Sequence, residues 1–308
     1  MQFTIKSINI SEKKGEIKIP VPEIELDYEG ITVDAHRGKW HRQVSFLAKE
    51  EIDKFAKIYN QQFKFGDFAE NITTEGIDFK KVEILDILEN ENVELMITQK
   101  GKKCHGAGCA VFEQVGHCVM PKEGIFTQVI KPGKIKTGDK MTYRPKVFKI
   151  AVITLSDRAS RGEYEDLSGP AIEEMTIKYF SEINRFCEIK KIIIPDSSEE
   201  LKKLTECLSQ EYDVIFTTGG TGVSHKDITI ETITPLLQKV IPGIMEMVRM
   251  KYGQQNPNAL ISRSVAGTIG KSFIFCMPGS PKAVREYMTE IFTVLEHMIY
   301  MSYGFDNH

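Results

Sequence analysis

The stretch "YDVIFTTGGTGVSHKDIT", Tyr212 to Thr229, decides the fold. Its first residues are a short apolar run, the pattern of a strand buried on both faces. The run ends in a loop carrying Gly219, Gly220 and Gly222, and an acid, Asp227, follows the turn. Glycines let backbone approach a ligand without a Cβ in the way, and consecutive backbone N–H groups in such a loop can cradle an anion. Thr217, Thr218 and Thr221 add hydroxyls. The spacing is neither GxxxxGK[ST] nor GxGxxG, so neither a Walker nor a dinucleotide fingerprint is present. A bare tight turn is the plain alternative.

Outward from this loop, strands and helices alternate. "FKIAVITLS" (148–156), "CEIKKIIIP" (187–195) and "SFIFCMPGSPKAVREYM" (272–288) each begin as an apolar strand. "SGPAIEEMTIKYFSEI" (168–183) has a Ser cap, an early Pro and helical spacing, and "SSEELKKLTECLSQEY" (197–212) opens with a capping box from Ser197 to Glu200. This alternation predicts a parallel sheet with helices on both faces. Ligands then bind at the carboxyl ends of the strands. Four loops gather there: "LSDRAS", "IPDSSEE", "TTGGTGVSHKD" and "MPGSPKAVRE".

Asp196 and Asp227 each sit just past a strand. Two carboxylates beside a polyphosphate can hold Mg²⁺, which prefers oxygen ligands and bridges phosphates. The plain alternative is that both are helix caps. Gly279 and Ser280 open another helix, whose N-terminus attracts anions, with Lys282 in its first turn; a solvated Lys is the alternative.

The first half has a different grammar. "FTIKSINI", "GITVDAH", "KKVEILDIL", "NVELMITQ" and "GIFTQVI" are short, partly alternating runs punctuated by turns, and "LAKEEIDKFAKIYNQ" reads as a helix. Such strands predict a β-barrel-like domain. The change falls near 143–148, giving domains 1–145 and 146–308. In "DAHRGKWHRQVSFL", His36, Arg37, Lys39, His41 and Arg42 form a basic cluster suited to an anion, or an exposed charged turn. "FGDFAENITTEGID" supplies Glu70, Asn71, Thr73 and Thr74, or a polar hairpin. "GKKCHGAGCAVFEQVGHCVMP" holds Cys104, His105, Cys109, His117 and Cys118. These could bind zinc, lie in the core, or supply a thiolate or soft ligand favoured by Lys102, Lys103 and His105.

The chain of 308 residues suits about two domains, and its net charge of −3 gives no basic surface for nucleic acid. No run reaches the roughly 18 apolar residues of a membrane span, and the first residues lack a signal-peptide core. The expectation is a cytoplasmic protein without membrane or nucleic-acid partners.

Taken together, "SDRAS.G.Y.D", "IPD", "TTGGTG…KDIT", "LISR" (260–263) and "MPGSPKAVRE" resemble the MogA/MoaB family over about 148–303. The resemblance implies a Rossmann-like α/β fold, a homotrimer, and Mg-ATP-dependent adenylylation of molybdopterin, independent of pyridoxal phosphate. It implies Asp196 and Asp227 as the catalytic, Mg²⁺-holding acids. Ser156, Asp157, Thr218, Gly219, Gly220, Thr221, Gly222, Ser262, Arg263, Gly279, Ser280 and Lys282 become the nucleotide and pterin pocket, and the molybdenum-insertion enzyme a partner. Related loops often carry Arg before the acid; here Lys226 keeps the charge without the planar fork.

"FGDFAENITTEGID" and "EGIFTQVIKPGKIKTGD" resemble a MOSC domain over about 1–145. This resemblance implies a β-barrel-like fold that binds molybdenum cofactor or carries sulfur on a cysteine. Cys109 matches best, with Cys104 and Cys118 as alternatives and His41, Arg42, Glu70 and Asn71 nearby. Both halves agree on molybdenum cofactor biosynthesis. The rival readings are a non-catalytic pterin carrier and a sulfurtransferase led by the first domain.

Overall fold

The computed structural model describes residues 1–14, 16–102 and 118–305. The chain divides into two compact units, Met1–Lys146 and Val147–His308.

The described residues of the first unit form eleven strands. They are β1 (Gln2–Ile10), β2 (Ile19–Val21), β3 (Glu23–Asp27), β4 (Gly30–Ile31), β5 (Val44–Ala48), β6 (Ile72–Glu75), β7 (Ile87–Glu89), β8 (Glu94–Lys100), β9 (Ile125–Lys131), β10 (Gly133–Lys136) and β11 (Lys140–Arg144). Seven of them close a ring in the order β1-β6-β5-β9-β8-β7-β11, because β11 pairs back onto β1. Long β1 makes closure possible: its start pairs with β11, its middle with β6 and its end with β2. Closure removes the exposed edges that an open sheet would present. Phe3, Ile5 and Ile8 of β1 join Val44, Phe46, Ile72, Leu88, Leu95, Ile97 and Ile125 in the barrel core. Helix α1 (Lys49–Tyr59) caps a second cluster, where Ile52 meets Phe68, Met120 and Phe126. Helix α2 (Met120–Glu123) supplies that Met120. "GITVDAH" and "KKVEILDIL", read above as strands, are mostly turns; only β4 and β7 are extended. Leu85 at φ +77 interrupts the second of them.

The second unit holds a six-stranded sheet of β12 (Val147–Leu155), β13 (Phe186–Ile194), β14 (Val214–Thr218), β15 (Lys239–Val240), β16 (Val265–Ile269) and β17 (Ser272–Met277). Their order is β13-β12-β14-β17-β16-β15. The first four run parallel, as expected. β16 alone runs the other way, pairing antiparallel with both β17 and β15. A two-residue turn at Gly270-Lys271, with Gly270 at φ +58, folds β16 directly back onto β17. So short a link cannot make the crossover that parallel pairing needs.

The helices are α3 (Asp157–Ser160), α4 (Ser168–Glu182), α5 (Ser198–Leu208), α6 (Thr229–Ile233), α7 (Pro242–Gly253), α8 (Pro281–Phe292) and α9 (Leu295–Ser302). One sheet face, through Ala151, Ile153, Leu155, Ile215 and Ile274, packs on Leu201, Leu208 and Ile233 of α5 and α6. On the other, Phe148 meets Phe180 of α4 at 5.1 Å, and Phe216 meets Phe292 of α8 at 6.5 Å. Strands covered on both faces must be apolar throughout, which is why β12, β14 and β17 show no alternation.

Candidate functional site

The parallel register sets Thr154 of β12 level with Thr218 of β14 and Ile193 of β13, and Thr218 level with Met277 of β17. The four loops that follow therefore leave the sheet at one edge. Hydrogen bonds stitch them together. Ser156 N donates to Ile194 O (3.0 Å), Gly219 N to Met277 O (3.0 Å), and Thr218 Oγ1 to Pro278 O (2.8 Å).

The glycine loop crosses this edge closely. Gly219 has φ +104, and a Cβ there would stand 2.4 Å from Leu155 O. Thr229 binds the loop from behind: its Oγ1 donates to Gly219 O (2.8 Å) and its N to Gly220 O (3.0 Å). Asp227 closes the far end. Its Oδ2 accepts from Ser224 N (2.8 Å), and its own N donates to Ser224 O (2.9 Å). Helix α6 begins without any side-chain cap. Asp227 is thus a loop residue and not a helix cap.

Asp196 is not a cap either, since Ser197 caps α5 by accepting from Glu200 N. Asp196 instead clasps Asp157. Asp157 N donates to Asp196 Oδ2 (3.2 Å), and Asp196 N donates to Asp157 Oδ1 (3.1 Å). Burial pushes the Asp196 carboxyl above its ordinary pKa, and the negative charges of Asp157 and Asp227 add to the rise. Lys226 opposes it, with Nζ 3.6 Å from Asp157 Oδ2. Both acids lie beyond strand ends, where sequence reading set them, and the fold adds the Asp157 clasp.

Two recesses open along the edge. The larger, about 470 Å³, is walled by Gly219–Gly222, Asp227, Ser262, Gly279, Ser280 and Lys282. Ser280 caps α8 by accepting from Ala283 N (3.2 Å), while Lys282 is 80% exposed and lies 3.9 Å from Glu286. The smaller, about 210 Å³, is walled by Thr154, Ser156, Tyr164, Asp166, Ser168 and Thr218. Ser156 caps α3 through Ala159 N (3.1 Å). Of the residues expected at the site, Asp157 and Asp196 line neither recess, and Arg263 is turned elsewhere. Its guanidinium donates to Gly222 O (2.7 Å) and Asp227 O (3.1 Å) and pairs with Glu231.

Asp166, quoted above in its motif without a role, and Glu231, not singled out, both prove structural. Asp166, not Ser168, caps α4: its Oδ1 accepts from Ser168 N and Gly169 N, both at 2.9 Å. Ser168 Oγ instead donates to Gly279 O (2.8 Å), tying α4 to the α8 turn. The Asp two residues before Ser168 was the missed signal. Glu231 carried none, because its partner lies 32 residues away.

In the first unit, Glu70 and Asn71 lie inside. Glu70 Oε1 accepts from Gly66 N (2.7 Å) and Thr73 Oγ1 (2.8 Å), and burial pushes its pKa up. Asn71 donates to Asp34 Oδ2 (3.1 Å) and accepts from Ser45 N (3.2 Å). Asp34 also pairs with Lys18 at 2.5 Å, both 2% exposed, and with His36 at 3.1 Å. Burial works against the Asp34 charge, yet the His36 and Lys18 hydrogen bonds hold its pKa well below the usual range. Arg42 lies 4.9 Å over the Trp40 ring, and the His41 carbonyl accepts from Thr98 Oγ1. Arg37 is turned out to Asp27 and Glu29. Cys118 packs against the Phe68–Met120 cluster. Cys104, Cys109, His105 and His117 lie outside the described residues. Cys276 of β17 is core, and burial pushes its thiol up to about 12.

No group of three His, Cys, Asp or Glu among the described residues could hold a metal ion. Mg²⁺ does not need one: it commonly takes one or two carboxylates and completes its shell with phosphate and water. Asp196 and Asp227, each bound to backbone through Oδ2, fit that smaller role.

Comparison with known proteins agrees with this geometry. Residues 151–297 match the family described as "Probable molybdopterin binding domain", and 33–142 match the MOSC domain. A Helicobacter pylori "Molybdopterin adenylyltransferase" is 38% identical over 157 residues, 50% of this chain and 88% of that protein. A Staphylococcus carnosus "Molybdenum cofactor biosynthesis protein B" is 40% identical, covering 49% and 88%. A crystal structure of "tungsten cofactor synthesizing protein MoaB" from Pyrococcus furiosus is 34% identical, covering 51% of this chain and 98% of that one, with a TM-score of 0.45. The chain joins a MOSC domain to a second domain that belongs to the MogA/MoaB family of molybdopterin-binding proteins.

Proposed function

We propose that the second unit adenylylates molybdopterin with ATP, and so serves molybdenum cofactor biosynthesis. The observation that carries this reading is the shared wall of the larger recess. The glycine loop, Asp227 and the Gly279–Lys282 turn face one space of about 470 Å³, with the Asp157–Asp196 clasp on the neighbouring loops. The names of the relatives support the same activity.

Nucleotide phosphates lie against the glycine loop, where backbone N–H groups and Thr221 donate to them. The N-terminus of α8 faces the same space and adds its positive end. The pterin occupies the smaller recess, so that its phosphate approaches the α-phosphorus of ATP beside Thr218. Mg²⁺ carried by the nucleotide would be held by Asp196 and Asp227, and when bound neutralises charge on the departing pyrophosphate. Asp157 holds Asp196 in place. Lys226 reaches the rim and adds positive charge where Asp157 now holds it.

The test is pyrophosphate release on adding molybdopterin to the protein with Mg²⁺ and ATP. Asp227→Ala and Asp196→Ala should each lower pterin-dependent release by at least about a hundredfold, the size of effect seen when one electrostatic stabiliser is lost. Full activity in both variants would refute the mechanism. Tight pterin binding without any pyrophosphate would instead identify a carrier.

For the first unit, we propose binding of the pterin product or mature cofactor, or sulfur handling on Cys109. Arg42, 4.9 Å over the Trp40 ring, supports an anionic ligand. Sulfur loading followed by mass measurement should find a persulfide on Cys109; its retention in Cys109→Ser would move the role to Cys104 or Cys118.

A further inference from the structure

Arg263 stood among the expected ligand contacts, yet all three of its guanidinium nitrogens donate to protein. Nε donates to the Gly222 carbonyl at 2.7 Å, and Nη2 to the Asp227 carbonyl at 3.1 Å. Both terminal nitrogens meet the Glu231 carboxylate on α6. The Arg263 backbone N adds a bond to Thr221 O at 3.0 Å. One residue therefore grips the loop at three points: 221, 222 and 227. The loop leaves little slack. A Cβ on Gly222 would lie 2.8 Å from Asp227 Oδ2, so glycine is what lets the chain pass so near that carboxylate.

We propose that Arg263 and Glu231 form a brace that sets the spacing between the glycine loop and the Asp227 carboxylate. Arg263 is then a positioning residue and touches no substrate. Glu231 aims the guanidinium, and the planar fork reaches two carbonyls five residues apart. Lysine has the charge but one nitrogen, so it cannot span both. This inference rests on the adenylyltransferase reading only for its kinetic arm. The loop geometry stands without it.

Two measurements on the full chain test the brace. The first is amide hydrogen exchange, which needs no activity. Arg263→Lys and Glu231→Gln should speed exchange across residues 219–227 while the core strands β12 and β14 keep wild-type protection. Glu231→Gln changes one exposed carboxylate, so it should fold even if an Arg263 variant does not. The second is steady-state kinetics with ATP and molybdopterin. A small misplacement of a reacting group can cost on the order of a hundredfold in rate. We expect kcat to fall roughly tenfold to a hundredfold in Arg263→Lys, with KM for ATP within about twofold. Unchanged exchange in both variants overturns the brace. A raised KM with unchanged kcat places Arg263 on the nucleotide and overturns it as well. If the wild-type protein releases no pterin-dependent pyrophosphate, the proposed function fails, and the exchange result still decides the brace.

Discussion

Asp196 carries a charge that opposes stability. Its carboxyl is partly desolvated and faces Asp157 and Asp227, so its folded pKa lies above the ordinary value. Above that folded pKa the group is ionised in both states, and folding bears the full cost of the charge. As pH falls through the folded pKa, the native protein takes up the proton first and the cost disappears. Asparagine carries no charge at any pH, and its carbonyl can still accept from Asp157 N. Asp196→Asn should therefore raise Tm at pH 7, and the gain should shrink toward acidic pH. Thermal melts across pH read this directly; a lower Tm at pH 7 would show that the carboxylate is stabilising. Lys226 offsets part of that cost, with its Nζ 3.6 Å from Asp157 Oδ2.

At the scale of elements, the first unit depends on a buried ion pair between segments far apart in sequence. Lys18 lies just before β2, and Asp34 lies in the turn after β4. Asp34 Oδ2 also receives Ser11 N (3.1 Å) and Asn71 Nδ2 (3.1 Å), so one carboxylate ties three segments together. Removing one partner leaves the other charged and buried, which costs about 3–5 kcal/mol. Lys18→Met should lower stability by that amount in a urea titration. Lys18→Met combined with Asp34→Asn should recover part of the loss, because no buried charge is left unpaired. If the double variant is as unstable as the sum of the singles, the pair is not coupled. The "DAHRGKW" stretch read as basic on composition alone. Asp34 within it turned out to organise the cluster, since a sequence does not say which of its charges will be buried.

For the whole molecule, each unit has its own core and its own sheet. The relatives of the second unit are covered almost completely by half of this chain. Residues 147–308 expressed alone should fold cooperatively and keep pterin-dependent pyrophosphate release within about threefold of the full chain, the scatter typical of separable contributions. A collapse of activity in the separated unit would show that the MOSC domain completes the site. Among the described residues no helix is long and apolar enough to cross a membrane.

The two-domain plan, the barrel, the strand–loop–helix units and the position of the acids at the strand ends were all legible in the order of residues. These signals are local: hydrophobic period, glycine and capping residues act within a few positions. The sequence also pointed to both families, because their motifs are contiguous. Only the tertiary structure decided what depends on distant partners. The antiparallel end of the sheet follows from a two-residue turn whose pairing no composition reveals. The inward burial of Glu70 and Asn71 depends on partners brought from the end of β1, from β5 and from the turn after β4. The Asp157–Asp196 clasp joins residues 39 apart, and Arg263 meets Glu231 across 32. Side chains are assigned to ligand or to scaffold by which neighbours reach them first, and that is settled only when the chain has folded.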